Sequence, residues 1–281
     1  MQDVLDSVKR FAAGEIEPRA AEVDRSGQLP HGLVASLGEQ GLLGLAVPAR
    51  WGGIDSDLAT FGACLEIVGR ACASTAWVLL AHSMSARAIV AAGSDAQKER
   101  WLPELASGRR LGSAMAGTEA GGGSNPLGIR TAARRNGENW VLEGGKEFIS
   151  LAGLADLYVV MARTAEPPAS LGCFVVEKAD SGLSFGRREE LLGVRGVPVG
   201  GFALSGCTLP ADRLLGAEAG GLMVMGAISA WGLVGAASAA LGIASAGLGA
   251  AAGHLSERVV AGARLARRAG GQATVGDLQM Q

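Results

Sequence analysis

The residues best placed to do chemistry are Thr118-Glu119-Ala120-Gly121-Gly122-Gly123-Ser124-Asn125, a turn carrying three glycines and two hydroxyls. Glycine has no Cβ, so its backbone N–H groups can come close to a polar or anionic ligand. Downstream stands a second polar and aromatic run, Gly144-Gly145-Lys146-Glu147-Phe148-Ile149-Ser150. Other chemistries find little support. The four cysteines (Cys64, Cys72, Cys173, Cys207) show no CxxC spacing, and His31, His82 and His254 have no evident partners, which argues against a metal centre. Gly144-Gly145-Lys146-Glu147 lacks the Ser/Thr of a phosphate-binding P-loop. No GxGxxG opens a helix after a strand, and no GxSxG nucleophile elbow occurs.

Strands must hold this turn. Thr131–Arg134, Trp140–Glu143, Glu147–Ser150 and Leu157–Ala162 alternate as strands do, separated by Asn136-Gly137, Gly144-Gly145 and Gly153. Asn-Gly between two such runs is a strong hairpin signal. Further strand and turn signals, from Leu192–Pro198 through Phe202–Pro210, extend this β region to residue 216. Residues 1–110 read as helices. Val4, Val8, Phe11, Ala12 and Ile16 form one apolar face that Pro18 should end, and Leu33, Leu37, Leu42 and Leu45 form another. Ala59–Ala92 is mostly apolar, and Ser94 or Asp95 caps the next short helix. From Gly220 the chain turns helical until about Arg268. Gly270-Gly271 should break it, and Val275–Gln281 reads as the start of a further helix.

The net charge is −2 and the basic residues are scattered, which excludes the concentrated basic face of a nucleic-acid binder. A 48% apolar composition excludes a disordered chain. The N-terminal residues show no signal-peptide pattern, and the cysteines suit free thiols, so a cytoplasmic location is expected. The uncharged stretch Ala219–Ser256 is long enough to span a bilayer, yet it is rich in glycine and alanine. A buried bundle helix is expected there, and no membrane span.

The two motifs resemble the acyl-CoA dehydrogenase flavoprotein family, in which a TEPxAGSD loop and a GxKxFIT(N/S) strand hold FAD. The likeness extends over nearly all of the chain. Gly41–Pro48 with Trp51-Gly52-Gly53, and Gly93 through Gly108, match packing and turn positions of the family's helical domain. Leu192–Pro198 and Ala211–Gly216 match its later turns. The resemblance implies an α+β fold with an N-terminal all-α domain (1–111), a middle β-barrel-like domain (112–217) and the start of a C-terminal helical bundle (218–281). It also implies that the family's last helices lie beyond Gln281.

By residue-wise match, Met115, Gly117 and Thr118 line the flavin ring, Gly123 and Ser124 approach the pyrophosphate, and Phe148 packs on the ring. Ile149 and Ser150 donate from the next strand. Asn125 stands where the family has Asp. The family's Arg-x-x-Phe-Gly clamp, lent by a neighbouring subunit, corresponds to Arg258-Val259-Val260-Ala261-Gly262, which keeps the arginine and lacks the aromatic. Arg258 therefore pairs with a phosphate or is a solvated charge at a helix end.

The family's reaction removes an α-proton from an acyl thioester with a glutamate and passes a β-hydride to the flavin. That glutamate comes from the C-terminal region or from just before an arginine in the long helix. The matching helix segment here, Ser229-Ala230-Trp231-Gly232-Leu233, holds neither a carboxylate nor an arginine, so the base is unassigned. It also lacks the polar handles for coenzyme A, which leaves coenzyme A or a carrier protein as the acyl carrier. The resemblance implies a homo-oligomer, or a hetero-oligomer with a homologue, that passes electrons to an electron-transfer flavoprotein. Two rival readings stand beside it: a catalytically incomplete partner subunit, and a non-dehydrogenase relative of the same fold.

Overall fold

The computed structural model describes residues 2–165 and 170–280. The first helical region begins with α1 (Gln2–Phe11), which passes through a π-helical turn (Ala12–Ile16) into α2 (Glu17–Ser26). Pro18 does not end the helix as expected. It occupies the first turn of α2, where a missing N–H costs nothing, and the π turn absorbs the change in register. Gly27, at φ +67°, stops α2 instead. There follow α3 (Leu33–Glu39), α4 (Leu58–Ala71), α5 (Ala73–Ala92) and α6 (Asp95–Ala106). Asp57 caps α4 by accepting from the Thr60 N–H at 2.7 Å, and Ser94 with Gln97 forms a reciprocal capping box on α6. Helix α5 lies at the centre of the helical layer and is buried on most sides.

The middle of the chain is a mixed sheet. Its strands are β1 (Gly112–Ala116), β2 (Ala132–Asn136), β3 (Asn139–Ser150), β4 (Leu157–Ala165), β5 (Ser170–Glu177), β6 (Leu183–Arg188), β7 (Val199–Pro210) and β8 (Leu214–Leu215). The order is β6-β7-β3-β2-β4-β5-β8, with β1 parallel to β4. The Asn136-Gly137 hairpin forms as expected, with Asn136 opposite Asn139. Gly144-Gly145 does not separate two strands. Both glycines lie within β3, where the ladder to β7 shifts register between Leu142 and Gly144. Gly144, at φ +143°, bends β3 there, as glycine in a strand often does.

The chain then enters α7 (Gly221–Glu257), a helix of 37 residues. Continuous helix to Arg268 was expected. Instead α7 ends at Glu257, and a small hairpin follows, β9 (Val259–Val260) with β10 (Ala263–Arg264), turning through Ala261 and Gly262 at positive φ. Helix α8 (Ala269–Met280) contains Gly270 and Gly271 rather than breaking at them, and Gln281 lies outside the described residues. Both α5 and α7 are long and apolar enough to cross a membrane by length and composition. The buried bundle helix expected at α7 is buried along one stripe only: Gly221, Val224, Ile228, Gly235, Ala239 and Gly242.

Polar side chains fasten the helical layer to the sheet. Buried His82 on α5 accepts the Gly112 N–H at Nδ1 (3.1 Å), and its Nε2 lies 3.2 Å from the Leu43 carbonyl. The ring is therefore a neutral tautomer that donates from Nε2. Gln97 donates to the Asp212 and Leu214 carbonyls at 2.7 and 2.8 Å. Glu177 gathers Trp101 Nε1 at 3.0 Å, Arg110 at 3.2 Å and Arg213 at 3.0 Å.

Candidate functional site

The glycine turn leaves β1 and returns to β2, and the Glu119 carboxylate holds it together. Oε1 accepts from Lys146 Nζ at 2.8 Å, the Thr131 N–H at 2.9 Å and the Thr131 hydroxyl at 2.6 Å. Oε2 accepts from the Arg130 N–H at 2.7 Å. Burial pushes the Glu119 carboxyl up, but the Lys146 ammonium and the Thr131 and Arg130 donors outweigh it and hold the group at about 2. Lys146 itself is fully buried, and that burial pulls its ammonium down against the opposing pull of Glu119. Neither residue received a role from the sequence motifs. The available signal was a lysine at an inward position of an alternating strand, opposite an acid in the glycine turn.

The turn sits directly on β3. The Thr118 carbonyl accepts from the Glu147 N–H at 3.0 Å, which places Thr118 next to Phe148. Phe148 is 63% exposed at φ +56°, its ring turned out of the sheet where β3 slips register against β7. Met115 and Gly117 lie half-buried at the end of β1, joined by a 2.8 Å bond from the Gly117 N–H to the Met115 carbonyl. Gly123 is packed so close that a Cβ there would lie 2.6 Å from the Thr118 Oγ1. Ser124 is exposed and, with Glu119, Gly121–Asn125, Gly128 and Arg130, lines a cleft of about 460 Å³. Asn125 accepts from the Leu127 N–H at 3.2 Å and so caps the turn Pro126–Gly128. An aspartate could make the same bond.

The structure brings together Met115, Gly117, Thr118, Gly123, Ser124 and Phe148. Ile149 points into the core, so only its backbone can face a ligand. The Ser150 hydroxyl already accepts from Trp77 Nε1 at 2.9 Å, and its carbonyl accepts from the Ser113 hydroxyl at 2.6 Å. Arg258 is elsewhere, at the end of α7. Its N–H donates to the His254 carbonyl and its own carbonyl accepts from Leu265, and no bond joins it to the turn among the described residues.

The matching segment of α7 is built differently. The Ser229 hydroxyl donates to its own helix at the Met225 carbonyl. The Trp231 ring lies 5.1 Å from Phe61, with the Arg87 guanidinium 4.5 Å above it. Leu233 is 73% exposed. No carboxylate lies on this segment, and no group of His, Cys, Asp or Glu able to hold a metal occurs among the described residues.

Comparison with known proteins identifies this architecture. Residues 1–109 match the acyl-CoA dehydrogenase N-terminal domain, and residues 114–207 match the acyl-CoA dehydrogenase middle domain. A cyclohex-1-ene-1-carbonyl-CoA dehydrogenase from Geobacter metallireducens is 36% identical over 98% of this chain and 73% of its own length. The chain belongs to the acyl-CoA dehydrogenase family. A cyclohex-1-ene-1-carbonyl-CoA dehydrogenase from Syntrophus aciditrophicus is also 36% identical, over 91% of this chain, and the match spans only 62% of that relative. A glutaryl-CoA dehydrogenase from Mycobacterium smegmatis, solved in complex with FADH2, superposes with a TM-score of 0.90 at 27% identity. That superposition covers 98% of this chain and 70% of the other.

Proposed function

We propose that this chain serves an FAD-dependent dehydrogenation of acyl thioesters that introduces an α,β double bond. The observation that carries the proposal is the glycine turn hydrogen-bonded to β3 beside the outward ring of Phe148. The residues fit the cofactor: a Cβ at Gly121 or Gly122 would meet nothing within 4 Å, and Gly121, Gly122, Gly123 and Gly128 line the cleft. Bound FAD supplies an acceptor for the hydride leaving the acyl β-carbon. Met115, Gly117 and Thr118 would line the ring, and Phe148 would offer it an apolar aromatic face. Gly123 and Ser124 offer N–H and hydroxyl donors to the pyrophosphate, with the Arg130 side chain on the cleft wall. Ile149 and Ser150 contribute backbone groups, and Arg258 pairs with a phosphate in an assembly.

No residue of this chain is assigned as the base, and the acyl group arrives on coenzyme A or on a carrier protein. A homo-oligomer, or a pairing with a homologue, covers the exposed Leu222, Met223, Leu233, Leu241 and Ile243 of α7. An electron-transfer flavoprotein is the electron acceptor in this reading. Four buried free cysteines suit a reducing cytoplasm. Residues 1–111, 112–217 and 218–281 are its three structural units. The absence of a carboxylate from Ser229–Leu233 specifically favours a second reading, a flavin-binding partner subunit whose base comes from another chain.

The visible spectrum of the purified protein with added FAD tests both. A bound flavin band that bleaches anaerobically with butyryl-CoA or a butyryl carrier protein supports the dehydrogenase. A stable band that bleaches only after a complete homologue is added supports the partner subunit, and failure to retain FAD overturns both.

A further inference from the structure

We propose that the buried Glu119–Lys146 ion pair is the positioning device of the glycine turn, fixing it against β3. The inference rests on the FAD reading above. One carboxylate joins three segments of chain: the turn itself, the approach to β2 through Arg130 and Thr131, and the middle of β3 through Lys146. Residues Ala120–Asn125 are all exposed and make few other bonds, the main ones being the Glu119–Gly122 pair at 2.8 and 3.3 Å. A wholly buried ammonium is expensive, and replacing such a pair by apolar side chains is often neutral or stabilising. Stability alone therefore does not account for a fully buried Lys146 beneath an exposed turn. Register does, because the pair tethers the turn next to the Thr118–Glu147 bond that sets Thr118 beside Phe148. Without Lys146 the carboxylate loses its direct bond to β3, and the turn is held to that strand only by the Thr118–Glu147 bond and by the Thr131 hydroxyl, 3.3 Å from the Gly145 carbonyl, so it shifts more easily from the Phe148 ring.

The test compares Lys146→Met, Glu119→Gln and the double variant Glu119→Gln/Lys146→Met in the full chain. Three quantities are read: FAD affinity by flavin fluorescence quenching, the melting temperature, and hydrogen exchange of amides 119–131 without FAD. Lys146→Met is expected to weaken FAD binding about tenfold or more and to speed exchange at Arg130 and Thr131. The double variant removes both buried charges, so it recovers melting temperature relative to Glu119→Gln while FAD affinity stays low. Arg213→Met, which breaks the Glu177 cluster, serves as a control that lowers the melting temperature and leaves FAD affinity unchanged. If FAD affinity instead follows melting temperature across all four variants, the pair is merely structural and the inference falls. Should the unmodified chain take up no FAD, the FAD reading falls separately and exchange alone decides: unchanged amides overturn the positioning role, faster ones uphold it. If Glu119→Gln does not fold, Lys146→Met and the double variant carry the same comparison.

Discussion

The glycine turn and helix α7 are both rich in glycine, and they use it in opposite directions. In the turn, a Cβ at Gly121 or Gly122 would meet nothing within 4 Å, so the missing side chains leave room for a ligand. In α7, a Cβ at Gly242 would lie 2.1 Å from the Glu66 carbonyl oxygen of α4, and one at Gly69 of α4 would lie 2.6 Å from the Ala239 carbonyl oxygen. There the missing side chains let two helices touch backbone to backbone. The polar content differs as well. The turn is braced by a buried ion pair, whereas the stripe that α7 buries is apolar or small throughout. Glycine content alone cannot distinguish a site from a seam; a Cβ that would strike the backbone of another helix, as at Gly242 and Gly69, marks the seam.

The sharpest way to break this contrast is to add the same atoms to each region. Gly242→Val drives a side chain into the α4 backbone, which cannot retreat as a flexible side chain could. It should destabilise the protein by about 3 kcal/mol or more in urea unfolding. Gly121→Val, on the open turn, should stay within about 0.5 kcal/mol. Equal losses at the two positions would mean that α7 is not seated on α4 as described.

Next in size is the joint between the regions. His82 lies between the helical layer and β1, the strand that leads into the turn. Burial pulls its imidazole down from 6.5 to about 4, against the pull of the Leu43 carbonyl. The unfolded chain therefore binds the proton more readily than the fold does. The contribution of His82 is complete above pH 6.5 and declines as pH falls through about 4, by about 3 kcal/mol at most. His82→Leu orphans the Gly112 N–H and the Leu43 carbonyl, and should cost about 2 kcal/mol at pH 7. It should also flatten the stability curve between pH 6.5 and 4, as urea titrations at stepped pH would show. Glu177, held at about 2 by Trp101, Arg110 and Arg213 against the upward push of burial, is lost only at lower pH. The two steps are thus separable.

These elements differ in how far the sequence revealed them. The hairpin at Asn136-Gly137 and the two motifs were legible because turn chemistry and strand alternation are local. The continuity of β3 through Gly144-Gly145 was not, because a glycine pair reads as punctuation until β7 is seen to pair on both sides of it. Pro18 misled for a related reason: its effect depends on whether a helix begins or continues there, which the π turn at Ala12–Ile16 decides. The hairpin after Glu257 was hidden because its two strands are only two residues each, too short for alternation to show. The Glu119–Lys146 pair lay inside the two motifs, and strand alternation hints that Lys146 faces inward, but its pairing with Glu119 is a long-range contact. His82 likewise gained its role only from long-range packing against Gly112 and Leu43.

A smaller effect is expected at Gly123. Its Cβ would lie 2.6 Å from the Thr118 hydroxyl, the free end of a side chain, so Gly123→Ala can be absorbed by a rotation of Thr118. The stability cost should be about 1 kcal/mol. The same rotation moves the hydroxyl proposed above to face FAD, so FAD affinity should fall by more than the melting temperature suggests. Isothermal titration beside thermal melting would show this. A parallel loss in both would make Gly123 a packing residue and weaken its place in the site.

The smallest effect should come from Leu233, 73% exposed on the α7 segment matched above to one of the family's two base positions. Leu233→Glu puts a carboxylate on that segment without burying it, so stability should change by less than about 0.5 kcal/mol. FAD affinity should not change either, because the glycine turn is held by Glu119 and β3 rather than by α7. If the charge instead disrupts a self-associated form, seen as a shift in sedimentation at fixed concentration, then Leu233 lies within a covered face. That result would move the contrast between turn and helix from ligand against core to ligand against partner. It would also place the missing polar handles of α7 at an interface, where a second chain rather than this one completes the substrate side of the site.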